Sequence, residues 1–274
     1  MSKYEIIIEP HRKPKQFWVE LWQYRDLFYF LAWRDILVRY KQTVIGIAWS
    51  VLRPLLTMIV FTIVFGKIAK LPSGNTPYPI LVYAAMLPWQ FFGNTFTESG
   101  NSLISNASMV SKIYFPRIII PTTSMVVSLI DFIISFVILA VLMVWYDFFP
   151  DWKVVILPFL LLLAMMTSLG AGYWIAALNV KYRDFRYIIP FMVQFGLYIS
   201  PVGFSSDVIP GQWRFLYSLN PMVGVIDGFR WALLGKDVQI YWEGLLLSSV
   251  LALLLFVFGI RFFLKTERSF ADVI

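Results

Sequence analysis

Cysteine is missing altogether from the 274 residues, and histidine occurs once, as His11. Disulfide bonding and thiolate redox or metal chemistry are therefore excluded, and imidazole chemistry has a single candidate. His11 lies in a polar stretch between Pro10 and Pro14, where a solvated residue is the expectation. Charge is also scarce, at 14% of residues. There is no carboxylate pair of the kind a general acid and base would need. A G-x-x-x-x-G-K-[ST] phosphate loop is absent too: Gly66-Lys67 and Gly235-Lys236 lack both the upstream glycine and the following Ser or Thr. If ATP drives any process here, it is hydrolysed on another chain.

What the chain does have is apolar surface. Hydrophobic residues make up 59% of it and aromatics 18%, with a mean hydropathy of +0.72. Soluble domains are roughly half apolar and a quarter charged, so lipid is the expected solvent for most of this sequence. A helix needs about 20 mostly apolar residues to cross the hydrocarbon core. Stretches near 46–66, 79–100, 118–145, 153–178, 187–205 and 243–264 satisfy this. Pro88, Asn94 and Glu98 interrupt the second, and Pro190, Gln194 and Pro201 the fifth. Such breaks are tolerated where neighbouring helices satisfy the backbone.

The predicted fold class is thus an all-α integral membrane protein. A tail and an amphipathic interfacial helix occupy residues 1–45, a domain of six transmembrane helices 46–264, and a short tail 265–274. Residues 1–20 hold no apolar core of a signal peptide, so the first span is expected to direct insertion.

Six spans put both termini on one side, and the positive-inside rule says which. Lys3, Arg12, Lys13, Lys15, Arg25, Arg34, Arg39 and Lys41 precede the first span. On the same side fall Lys112, Arg117, Lys181, Arg183, Arg186, Arg261, Lys265 and Arg268, against only Lys67, Lys70, Lys153, Arg214, Arg230 and Lys236 opposite. Both termini are expected to be cytoplasmic. The net charge of +7 is therefore read as a topology signal, and no nucleic-acid partner is expected.

Two segments outside the spans carry pattern. From Lys15 to Tyr40, residues such as Phe17, Trp18, Trp22, Phe28 and Phe30 interleave with charges, as in a helix lying in the membrane interface. Residues 206–242 are too polar and too rich in Pro and Gly for a seventh span, yet keep apolar runs at Pro221–Ile226 and Phe229–Leu234. Short re-entrant or interfacial helices and an ordinary amphipathic loop both fit.

The segment Arg34-Asp35 … Arg39-Tyr40-Lys41-Gln42-Thr43 … Gly46 … Trp49, followed by Pro54, resembles the opening of ABC-2 type polysaccharide export permeases. The similarity continues through Leu87-Pro88-Trp89-Gln90-Phe91-Phe92, Phe115-Pro116-Arg117, Lys181-Tyr182-Arg183-Asp184 and Asn220-Pro221 with Arg230. Each motif alone is weak; their order along the chain is what carries the resemblance.

The family exports O-antigen, capsular polysaccharide and teichoic acid. The resemblance implies a non-enzymatic subunit of the bacterial inner membrane, paired with a second copy of itself. It also implies two cytoplasmic ABC ATPase subunits that carry the ATP and Mg, a channel between the permeases, and an undecaprenyl-linked polysaccharide, O-antigen foremost, as cargo in a lipid surrounding. No cofactor is expected in this chain.

Two stripes suit the lining of such a pathway. Trp49, Arg53, Thr57, Phe61 and Phe65 recur every four residues in the first span. Tyr187, Phe191, Gln194, Tyr198, Pro201 and Ser205 follow four-and-three spacing in the fifth. Sugars offer apolar C–H faces and hydroxyls, which aromatic rings and amides accommodate without fixing one register. Membrane anchoring by interfacial aromatics is the alternative.

Arg53 is expected to snorkel or to pair with Glu98. Asp131, on a stripe with Ser124, Ser128 and Ser135, is expected to join helices rather than contact substrate. Gly170 and Gly172 are expected to allow close helix contact.

Coupling to a motor requires a cytoplasmic element that reaches it. The loop carrying Met109, Val110, Lys112, Ile113, Tyr114 and Arg117 is the first candidate, and Arg34, Asp35, Arg39 and Lys41 are the second. The alternative is that these charges only set topology. Export of a small lipid or drug, or a membrane enzyme acting on lipid-linked glycans, are the competing functions.

Overall fold

The computed structural model describes residues 14–41, 46–74, 76–235, 238–267 and 270. Within them every regular element is helical. Two helices, α1 (Pro14–Gln23) and α2 (Arg25–Lys41), precede α3 (Gly46–Phe61), which continues into a π-helical turn, Thr62–Ile68. Then come α4 (Tyr78–Ser105), the short α5 (Ala107–Lys112), α6 (Ile119–Trp145) and α7 (Leu157–Lys181), the last entered through a 3-10 turn at Trp152–Ile156. The chain ends with α8 (Phe185–Ile199), α9 (Gly211–Tyr217), α10 (Pro221–Leu234) and α11 (Trp242–Thr266). His11 lies outside the described residues.

Four helical stretches are long and apolar enough to cross a membrane: Ala48–Ile68, Ile119–Trp145, Trp152–Lys181 and Trp242–Thr266. The other two expected spans are of a different kind. The helix α4 has 28 residues, about 42 Å at ~1.5 Å per residue, but Gln90, Asn94 and Glu98 lower its hydropathy. The stretch before them is enclosed by protein, every residue from Ile80 to Trp89 being buried, whereas Gln90 and Asn94 are half-buried and Glu98 is exposed. Helices α3, α6, α7, α8 and α10 all pack on α4. The fifth stretch forms only the 15 residues of α8, about 22 Å and short of the ~30 Å core, before the backbone turns at Ser200.

Helix contacts use small and polar residues, as expected where lipid removes the hydrophobic drive for helices to associate. The Ser99 hydroxyl of α4 donates to the Pro121 carbonyl of α6 at 2.7 Å, and Asn179 of α7 donates to the Gly100 carbonyl at 2.9 Å. Gly170 of α7 lies so close to α11 that a Cβ on it would fall 2.7 Å from the Leu255 carbonyl carbon. A Cβ on Gly259 would in turn strike the Gly170 carbonyl oxygen. The close contact expected at Gly170 is therefore made backbone to backbone.

The segment between α8 and α11 is neither uniform loop nor span. Asn220 opens α10 by accepting from the Met222 amide at 3.0 Å, with Pro221 at the first helical position. The helix that follows is buried between α4, α7 and α11. Its Arg230, 1% exposed, donates to the carbonyls of Leu81, Phe204 and Val202 at 3.2, 2.6 and 2.9 Å. One guanidinium thus meets two carbonyls of the turning backbone after α8, which lipid would leave unpaired, and one carbonyl on α4.

At the opposite end of the bundle the basic segments gather. Leu31, Val110, Phe115, Val180, Phe263 and Phe270 share one apolar cluster there. This cluster joins α2, α5 and the ends of α7 and α11.

Candidate functional site

A cavity of about 670 Å³ opens between α3, α4, α6 and α8. Trp49, Ser50, Arg53, Pro54 and Thr57 line it from α3, and Trp89, Gln90, Gly93, Asn94, Thr97 and Glu98 from α4. The helix α6 contributes Asp131 and Ser135, α8 contributes Pro190, Val193 and Gln194, and Arg39 of α2 lies at its margin. Indole faces alternate with amide, hydroxyl and guanidinium groups. Such a wall binds polar molecules that also have apolar faces.

Of the two predicted stripes, the structure brings Trp49, Arg53, Thr57 and Gln194 into this one space. Phe61 and Phe65 fall elsewhere. Phe61 is 7% exposed in the core, and Phe65 lies against Gly203, its ring packed edge-on to Phe61 at 5.3 Å. A four-residue spacing drifts by about 40° per step on a 3.6-residue helix, and the π-helical turn from Thr62 shifts the register again. The stripe therefore rotates out of the cavity along its own length.

Tyr187, Phe191 and Tyr198 do not line the cavity. They stand outward on α8, at 79%, 64% and 58% exposure, and Phe191 stacks on Phe195 at 5.5 Å. Pro201 is buried and Ser205 is half-buried. The α4 contribution was missed as a lining in sequence, although Gln90, Asn94 and Glu98 recur every four residues as a polar face on an apolar helix. They register there only as interruptions of a span.

One acid organises the margin of the cavity. Asp131 accepts hydrogen bonds from the Tyr40 hydroxyl at 2.6 Å and the Ser50 hydroxyl at 2.9 Å. Its other oxygen meets an Arg39 nitrogen at 2.6 Å, and Glu98 lies 3.9 Å from the same guanidinium. Burial, and then the bond to Asp131, pushes the Tyr40 phenol above its usual value, so it remains a donor. Asp131 joins α2, α3 and α6, as expected, and also borders the cavity. Glu98 faces Arg39 rather than Arg53, so the pairing considered for Arg53 is not formed.

The two coupling candidates meet at the basic end. Arg34, held by Asp35 at 2.8 Å, also donates to the Asn106 side-chain oxygen at 2.9 Å, which ties α2 to the residue preceding α5. Tyr24 donates to the Tyr114 carbonyl at 3.3 Å. Lys112, Ile113, Tyr114 and Lys41 are exposed. Val110 is not: at 1% exposure it anchors α5 to the bundle core, with Met109 packed against the same cluster. The i, i+3 and i+4 spacing of these apolar residues distinguishes faces but does not say which face turns inward. Arg117 is engaged by Glu267, its amide at 2.7 Å and its guanidinium at 2.6 Å.

Known proteins match most of the chain in sequence. The chain is 28% identical over 213 residues to the O-antigen export system permease protein RfbA of Myxococcus xanthus, covering 77% of this chain and 81% of that one. It is 25% identical over 253 residues to the protein of the same name from Klebsiella pneumoniae, covering 91% and 95%. It is 21% identical over 206 residues to the polysialic acid transport protein KpsM of Escherichia coli, covering 73% and 78%. Residues 26–234, from α2 through α10, match the ABC-2 type transporter family, and this multi-pass membrane chain belongs to it.

Proposed function

We propose that two copies of this chain form the transmembrane conduit of an ATP-driven exporter that carries a lipid-linked polysaccharide, O-antigen first among the candidates, across a bacterial inner membrane. ATP and Mg are handled by a pair of separate cytoplasmic ABC subunits. Both termini are cytoplasmic, α1 and α2 lie in the membrane interface, and α2 and α5 face the ATPase.

The observation that carries this reading is the cavity between α3, α4, α6 and α8, whose wall mixes Trp49 and Trp89 with Gln90, Asn94, Thr57 and Gln194. A polysaccharide presents stacked C–H faces and hydroxyls to whatever surrounds it, and indoles with neutral amides hold both loosely enough for sliding. Beside the cavity, α8 exposes Tyr187, Phe191, Phe195 and Tyr198, and α3 exposes Leu52, Leu56, Ile59 and Val60. In our reading a second copy covers these faces and completes the passage. Relatives named for O-antigen export and for polysialic acid transport support the cargo class.

The test is co-purification of the tagged chain with an ABC ATPase from its native cells, followed by reconstitution in proteoliposomes. ATP hydrolysis should rise when lipid-linked polysaccharide is supplied, and deletion of the gene should leave the polymer on the cytoplasmic side. A monomer that recruits no ATPase and whose loss leaves surface polymer unchanged would overturn the reading. Stimulation by a small lipid or drug but not by polymer would favour the competing transporter function.

A further inference from the structure

Two guanidinium groups line the cavity, and their surroundings differ. Arg39 is engaged by Asp131 at 2.6 Å and faces Glu98 at 3.9 Å. Arg53 lies about 10 Å along α3 from Gly46 at ~1.5 Å per residue. That is one helical turn beyond Ser50, the α3 residue bonded to Asp131. Arg53 is exposed, and among the described residues its side chain has no carboxylate partner and donates no hydrogen bond. Along α4, Asn94 sits one turn from Glu98 and Gln90 two turns, so the wall turns from acidic to neutral along the cavity. An unpaired cation within a membrane span costs several kcal/mol unless water or a ligand meets it, and such residues tend to mark ion or substrate paths.

We infer that Arg53 is the contact for a phosphate group inside the cavity, namely the diphosphate of a polyprenyl-linked glycan. This rests on the export reading and assigns one residue a role within it. The guanidinium fork matches phosphate oxygens in bidentate geometry, and the neutral amides of Asn94, Gln90 and Gln194 add donors without opposing charge. A space of about 670 Å³ lies within the range that holds a compact ligand, so a diphosphate with its first sugars fits. Phosphate also occurs in phospholipid headgroups. Those gather at the membrane surface, however, whereas Arg53 faces a space shared with Trp89 of the central helix α4 and Asp131 of α6.

Binding to the full chain in phosphatidylcholine nanodiscs tests the assignment, with undecaprenyl diphosphate and undecaprenol as probes. The wild type should bind the diphosphate about tenfold or more tightly than the alcohol. Arg53→Gln should reduce the diphosphate to the affinity of the alcohol, and Arg53→Lys should restore part of the difference. Phosphatidylglycerol added to the discs should not displace the diphosphate. Gel filtration and thermal unfolding establish that the variants fold, as an exposed position should allow.

Equal binding of the two probes, an undiminished Arg53→Gln, or displacement by phosphatidylglycerol would each overturn the inference. If that happened while polymer still stimulated the wild-type ATPase complex, only the Arg53 assignment would fail. Loss of polymer stimulation in the wild type would instead remove the export reading.

Discussion

Arg39, in the last turn of α2, holds Asp131 of α6 at 2.6 Å, while Tyr40 beside it donates to the other oxygen of the same carboxylate at 2.6 Å. An N-terminal helix is thereby bonded to the wall of the cavity. Asp131→Ala leaves Arg39, Tyr40 and Ser50 without their shared acceptor and should cost about 2–3 kcal/mol. Arg39 is a third exposed, so solvent keeps the ionic share small. Asp131→Asn keeps an acceptor for the hydroxyls and should cost about half as much. Thermal unfolding in detergent reads both. The costs of Asp131→Ala and Arg39→Gln should fall short of additive when combined, and full additivity would argue against a direct bond.

Arg230 offers a sharper test of the buried backbone. Its fork reaches two carbonyls in the turn after α8 and one on α4. Lysine brings one ammonium that cannot span all three, so Arg230→Lys should destabilise by about 2 kcal/mol. Arg230→Met, which removes every donor from the two carbonyls of the turn, should cost about 3 kcal/mol or more. Yield of monodisperse protein and melting temperature should fall in the order Arg, Lys, Met. An Arg230→Met protein as stable as the wild type would show that the carbonyls find water instead.

Most of this architecture is legible in the sequence where one physical signal dominates. Apolar length marks α3, α6, α7 and α11. Positive charge marks the end at which Arg34, Lys112, Arg117 and Lys181 gather. The apolar runs Pro221–Ile226 and Phe229–Leu234 fall within α10, a segment that sequence leaves open between short helices and a loop. The signal fails where two effects share a residue type. Gln90 and Asn94 look like defects in a span because hydropathy cannot distinguish a helix enclosed by protein from one broken in lipid. Tyr187, Phe191 and Tyr198 keep helical spacing with Gln194, but spacing does not reveal that the cavity takes the amide and the outer face takes the rings. Val110 and Ile113 are equally apolar, and only the packing of α5 separates anchor from exposed tip.

That separation yields a prediction about coupling. Ile113→Ala with Tyr114→Ala removes exposed apolar surface and should lower polymer-stimulated ATP hydrolysis several-fold while the fold is retained. Val110→Ala opens a small void in the bundle and should cost about 1–2 kcal/mol of stability, with recovery of ATPase association at low temperature. Co-purification with the ATPase alongside unfolding curves separates the two. If the exposed pair were silent in both assays, α5 would not be the contact.

The approach of α7 and α11 can be tested at a single atom. Gly259→Ala places a methyl group against the Gly170 carbonyl, which is backbone and cannot swing away. The helices must part or bend, at a cost of about 1–3 kcal/mol. Gly211, where an added Cβ would meet nothing within 4 Å, is the matched control, and Gly211→Ala should leave the melting temperature within experimental scatter.

The same glycine contact bears on how a passage could widen. Helices that meet through side chains can roll, because rotamers exchange as they turn. Two backbones in direct contact have no such bearing surface. In the proposed conduit the α7–α11 seam therefore has little freedom to roll, and the breaks in helical regularity lie elsewhere, where α3 carries Pro54 and a π-helical turn and α8 carries Pro190.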